Sequence, residues 1–107
     1  IVLYIKRGIV AGWIEDGDEL PSRRNLSAVL GANPNTIQKA FKQLEEEGLI
    51  ESRAGAKSTM KLSPEKIKEL KKELVYEDVK LMILALKQTG IEKEEAVTLI
   101  QNLWEEV

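Results

Sequence analysis

Residues 20–44 read LPSRRNLSAVLGANPNTIQKAFKQL, and two capping signals divide this stretch into two short helices. Ser22 offers a hydroxyl to the unpaired amides that follow it, which is what a helix N-terminus needs, and Leu26, Val29 and Leu30 then share one face up to a stop near Gly31. Past Gly31 and Ala32, Asn33 caps another helix with Pro34 at its first position, where the missing N–H costs nothing and the fixed φ is already helical. Ile37, Ala40, Phe41 and Leu44 follow the i, i+3, i+4, i+7 rule, and Gly48 ends the run. Two short helices joined by a tight turn form a helix-turn-helix.

Working outward, Ile1 to Ala11 (IVLYIKRGIVA) carries apolar residues at near-helical spacing and stops at Gly12. It starts with neither a capping residue nor a methionine, so residues preceding Ile1 are expected. Trp13 and Ile14 then pack before the acidic turn Glu15-Asp16-Gly17-Asp18. On the other side, Leu49 to Arg53 and Ser58 to Leu62 read as two short strands around a tip containing Gly55 and Lys57, a hairpin that would form a wing. Ser63-Pro64-Glu65 repeats the cap-plus-proline signal and opens a long helix to about Gln88, stopped by Gly90; a last helix covers about Lys93 to Glu106. The expected fold is mainly α: a winged helix-turn-helix of three helices and a small β-hairpin wing over residues 1–62, then a C-terminal two-helix dimerisation hairpin over residues 63–107.

Composition narrows the function. The 107 residues contain no cysteine and no histidine, which excludes disulfides, cysteine–histidine zinc clusters and histidine-based triads together. Carboxylate runs such as Glu45-Glu46-Glu47 mark a solvated face, and no constellation suggests catalysis, a metal or a cofactor, so the chain is not expected to be an enzyme. The 43% hydrophobic and 32% charged residues are the balance of a globular protein. No stretch reaches the roughly 18 apolar residues that span a bilayer, so no membrane partner and a cytoplasmic location are expected. The net charge of −2 argues against a polyanionic partner until its distribution is considered. Between Leu20 and Leu44 stand Arg23, Arg24, Lys39 and Lys42 with no acidic residue, bordered by Glu15, Asp16, Asp18 and Glu19 before and Glu45 to Glu47 after.

With the core positions of the helix after Asn33 removed, Asn33, Asn35, Thr36, Gln38, Lys39 and Lys42 remain for solvent or a partner. Asn and Gln pair bidentately with adenine, Thr touches the thymine methyl, and Lys meets guanine or phosphate. They crowd toward the amino end, the part of a recognition helix that enters the major groove. A solvated helix face is the alternative for this helix taken alone. Arg23 and Arg24 begin the preceding helix, where the dipole disfavours cations, so a phosphate partner would account for them; ion pairs with Asp16, Asp18 or Glu19 would also. Arg53, Gly55 and Lys57 on the wing suit a minor groove, or an ordinary hairpin tip. In the C-terminal helices Leu81, Met82, Leu84 and Leu86 present apolar groups all round, and Ile100, Leu103 and Trp104 continue a broad stripe, so packing against a second copy is expected, the alternative being burial on the first domain.

These residues resemble the GntR family of bacterial transcriptional regulators, in its small YtrA-type branch. Gly17-Asp18-Glu19-Leu20-Pro21-Ser22-Arg23-Arg24-Asn25-Leu26 is similar to the family's GD-x-LPS-x-R-x-LA run, Asn33-Pro34-Asn35-Thr36-Ile37 resembles its NPNTV helix start, and Gly48-Leu49-Ile50 continues the pattern. The resemblance implies a winged helix-turn-helix that binds operator DNA as a homodimer through a short helical C-terminal region, with DNA contacts at Arg24, Asn33, Asn35, Thr36, Gln38 and Gly55. The wing departs from the family's RGKGTFV, reading RAGAKSTM from Arg53. The function expected is a repressor on a pseudo-palindromic operator. The rivals are a winged-helix module for protein contacts and a regulator sensing an unknown small-molecule effector at the helical dimer interface.

Overall fold

The computed structural model describes residues 1–52 and 57–107. Its elements run α1 (Val2–Ala11), α2 (Arg23–Leu30), α3 (Pro34–Glu46), β1 (Ile50–Glu51), β2 (Thr59–Met60), α4 (Pro64–Gln88) and α5 (Lys93–Leu103). They form two compact units, Ile1–Lys72 and Glu73–Val107. The first turns of α4 therefore belong to the first unit.

That unit is a winged helix-turn-helix. Its core gathers Ile5 and Ile9 from α1, Ile37, Phe41 and Leu44 from α3, Leu49, Ile50, Met60 and Leu62 from the hairpin, and Leu70 from α4. The capping signals act as the sequence predicts: Ser22 Oγ accepts from Asn25 N at 3.1 Å, Asn33 Oδ1 from Asn35 N at 2.8 Å and Ser63 Oγ from Lys66 N at 3.2 Å. Gly31 and Gly48 take left-handed φ values of 65° and 74°, a region any other residue enters only with strain. Ser27 Oγ donates to Ala32 O and ties the turn from α2 into α3.

β1 and β2 pair antiparallel with Ile50 opposite Met60 and Glu51 opposite Thr59. The acidic turn adds a third, shorter line to this ladder. Glu19 bridges Thr59, Leu20 N donates to Ser58 O at 2.9 Å, and Met60 N donates to Asp18 O at 2.8 Å. Asp16 Oδ1 accepts from Leu62 N at 2.8 Å, and Asp18 Oδ2 from Glu15 N at 2.7 Å. The acidic residues thus fasten the base of the wing to the chain entering α2.

The face that Leu26, Val29 and Leu30 share is partly buried at Leu26 alone, which packs on the core, whereas Val29 is 80% exposed and Leu30 also lies open. α2 has only eight residues, packs chiefly on α3, and has no residue that is fully buried. Glu47 is not simply solvated: its Oε1 lies 2.8 Å from the Nζ of Lys6, a buried residue of α1.

Candidate nucleic-acid interface

On α3 the sequence sorts cleanly into two faces. Ile37, Ala40, Phe41 and Leu44 are buried, while Asn35, Thr36, Gln38, Lys39 and Lys42 are exposed on the other side. Among the described residues no side chain of these five makes a hydrogen bond or ion pair, so their donors, acceptors and charges face outward uncommitted. Asn33 is partly committed, because its carbonyl oxygen caps the helix. Its NH₂ is left for a partner.

Arg23 and Arg24 stand exposed at the start of α2. The ion pairs that would satisfy them locally are not formed. Asp16 and Asp18 accept from backbone amides, and Glu19 lies 3.9 Å from the Nζ of Lys57. Arg23 instead places its guanidinium carbon 5.3 Å from the centre of the Phe41 ring, an attraction between a cation and the negative face of the aromatic system. This contact crosses from α2 to α3 and was invisible to periodicity, which assigns Phe41 to the core alone.

Lys57 is exposed at the side of the wing, and its long, solvated pairing with Glu19 restrains it weakly. Gly55 and Arg53 lie outside the described residues. The sequence also did not reveal what anchors α3 from behind. Lys6 reaches from α1 to Glu47, whose other oxygen accepts from Gln43 Nε2 at 3.3 Å, and Lys66 Nζ donates to Gly48 O at 2.7 Å. These contacts fix the carboxyl end of α3 against α1 and α4.

The model of bacterial regulatory proteins of the gntR family matches residues 1–58. The chain belongs to the gntR family. It is 35% identical over 95 residues to the HTH-type transcriptional repressor YtrA of Bacillus subtilis (strain 168), covering 88% of this chain and 73% of that protein. A GntR family transcriptional regulator from Listeria monocytogenes has the same fold at a TM-score of 0.81 and 32% identity, over 94% of this chain and 89% of that one. YtrA from Sulfolobus acidocaldarius, a GntR-family transcription factor, aligns at a TM-score of 0.54 and 27% identity, over 99% and 85% of the two chains. This gntR-family chain is accordingly a transcription regulator with a DNA-binding winged helix rather than an enzyme.

The second unit of this gntR-family protein contains the later turns of α4 and all of α5. Leu81, Met82, Leu84, Leu103 and Trp104 are exposed, Trp104 at 74%, and Leu86 and Ile100 are half-buried. An open apolar groove of about 420 Å³ runs between the two helices, with Met82, Leu86, Val97 and Ile100 among its lining and Lys87 and Lys93 at its edge. Among the described residues no helix is long and apolar enough to cross a membrane, and no group of carboxylates could hold a metal ion.

Proposed function

We propose that the protein is a repressor that binds a pseudo-palindromic operator as a homodimer, with α3 of each copy in successive major grooves about one helical turn apart. The observation that carries this is the outward face of α3, where Asn35, Thr36, Gln38, Lys39 and Lys42 stand together with their polar groups uncommitted. Asn35, Thr36 and Gln38, with the NH₂ of Asn33, read base edges; Arg23, Arg24, Lys39 and Lys42 grip phosphates, and Lys57 with Gly55 follows the flanking groove. Repression is supported by the name of the Bacillus relative, and homodimerisation by the apolar surface that the second unit leaves open. Such a regulator works on DNA in the cytoplasm.

Selection of bound sequences from random duplex DNA tests the reading directly. The expected outcome is a two-fold symmetric motif whose affinity falls steeply with salt, with a logarithmic slope of about −0.9 per phosphate neutralised. Binding that ignores salt, or a pool with no motif, overturns it in favour of a protein-contact module. Effector sensing has one specific observation in its support, the groove between α4 and α5; a ligand seated there would change operator affinity.

A further inference from the structure

We propose that the Phe41 ring is a platform that holds the Arg23 guanidinium ready for a DNA phosphate, which makes Phe41 a positioning residue of the interface. The inference rests on the DNA-binding reading above and extends it to a residue otherwise accounted for by the core.

Arg23 is the first residue of α2, and the first turn of α2 contains no acidic residue. A cation at this end is opposed by the helix dipole, and among the described residues Asp16, Asp18 and Glu19 make their contacts with other groups and not with Arg23. What holds the side chain is the ring of Phe41, 5.3 Å from the guanidinium carbon. Phe41 is itself only 2% exposed and belongs to the core cluster. With about 3.6 residues per turn, Phe41 falls at the edge of the buried stripe, three residues from Gln38 and therefore its neighbour on the helix surface. Arg23 is thus held beside the polar face of α3.

The chemistry of the contact suits this role. A ring face attracts the charge without consuming hydrogen-bond donors, and the guanidinium carries five N–H groups around its rim. Among the described residues Arg23 makes no hydrogen bond or ion pair, so these donors remain for phosphate oxygens. A long side chain that clamps a phosphate loses rotamer freedom on binding. The ring contact imposes part of that restriction beforehand, so less is lost in the complex.

The test is a double-mutant cycle on the full chain with the selected operator, measuring Kd across a salt series for wild type, Arg23→Ala, Phe41→Leu and the double variant. Arg23→Ala is expected to weaken binding and to lower the salt slope by about one. Phe41→Leu is expected to weaken binding about threefold with an unchanged circular dichroism spectrum, and to have no further effect once Arg23 is gone. Phe41→Tyr, which keeps the ring, is expected to bind as wild type. A Phe41→Leu loss of equal size with and without Arg23 overturns the proposal, because Phe41 then acts only through the core. An Arg23→Ala variant with unchanged affinity and slope also overturns it. Arg24→Ala separates the two levels: weakened binding there with none at Arg23 sinks only the platform, whereas no effect at either sinks the DNA-binding face. A readout independent of any Phe41 variant is the proton spectrum of the DNA-free protein. Ring-current shifts of the Arg23 δ-methylene protons are expected, and random-coil shifts overturn the platform.

Discussion

Single residues on α3 divide into those expected to select a sequence and those expected to grip any sequence. If α3 reads the operator as proposed, Thr36→Ala should relax preference at one operator position by about 1 kcal/mol, the low end of what one base pair contributes. Lys42→Ala should instead weaken all sequences alike and flatten the salt slope by about one. Parallel selections at fixed salt distinguish them, and an unchanged motif for Thr36→Ala would count against its role. A different residue tests the packing behind this face. At Gly8 of α1 a Cβ atom would meet Ile14 Cδ1 at 2.6 Å and two Trp13 ring atoms at 2.9 Å, because the chain folds back there with Trp13 N and Ile14 N both bonded to Gly8 O. The Ile14 methyl tip and the 55% exposed Trp13 ring can shift, so Gly8→Ala should change stability by under about 1 kcal/mol in urea unfolding, with alanine's better helix propensity offsetting part of the displacement. The two faces of α3 could be read from the sequence because their period is local. Val29 and Leu30 could not, since their exposure depends on how little of α2 a neighbour covers. Arg23 was legible as a misplaced cation, but its Phe41 partner lies on another helix.

Elements are held by contacts that cap patterns do not describe. The starts of α2, α3 and α4 were legible because Ser22, Asn33 and Ser63 act on amides two or three residues away. The third line of the wing was not, because it joins Asp18, Glu19 and Leu20 to residues 58–60 by backbone groups, which carry no sequence signature. The same holds for Lys6 and Glu47, 41 residues apart, each of which reads as an ordinary surface charge. Burial of the lysine gives this pair its consequence. Removing the carboxylate leaves a buried ammonium with one partner fewer, whereas removing the ammonium leaves a carboxylate that still reaches water. Because the Glu47 side chain is partly exposed, Glu47→Ala should lower stability by about 1–3 kcal/mol, and Lys6→Met, which fills the same space without charge, by less. Chemical denaturation of both variants checks the order; equal effects would mean that the pair contributes only its attraction. Because Glu47 closes α3, the Glu47 variant should also lose operator affinity beyond what its unfolded fraction explains.

At the scale of the whole molecule, the decisive property is the apolar surface of the second unit. Its apolar circumference was legible directly, since Leu81, Met82, Ile83, Leu84 and Leu86 follow one another and no single neighbour could cover them. Which residues lie deepest was not, since Leu86 and Ile100, which line the groove, are half-buried while Leu84 is 51% exposed. Exposed apolar area on this scale favours association, and a two-fold pairing satisfies it with one self-complementary patch. Leu84→Glu puts a charge into that patch. Sedimentation should then give the mass of one chain, while the core of the first unit, which contains none of these residues, keeps its unfolding transition. Operator affinity should fall by about 10² or more, because two linked recognition helices bind the second half-site at a high effective concentration and a lone one does not. A half-site duplex provides the internal control. Wild type and Leu84→Glu should bind it equally, since each first unit carries a complete α3 face, and a variant that binds the full operator as tightly as wild type while sedimenting as a monomer would overturn the two-fold mode of recognition.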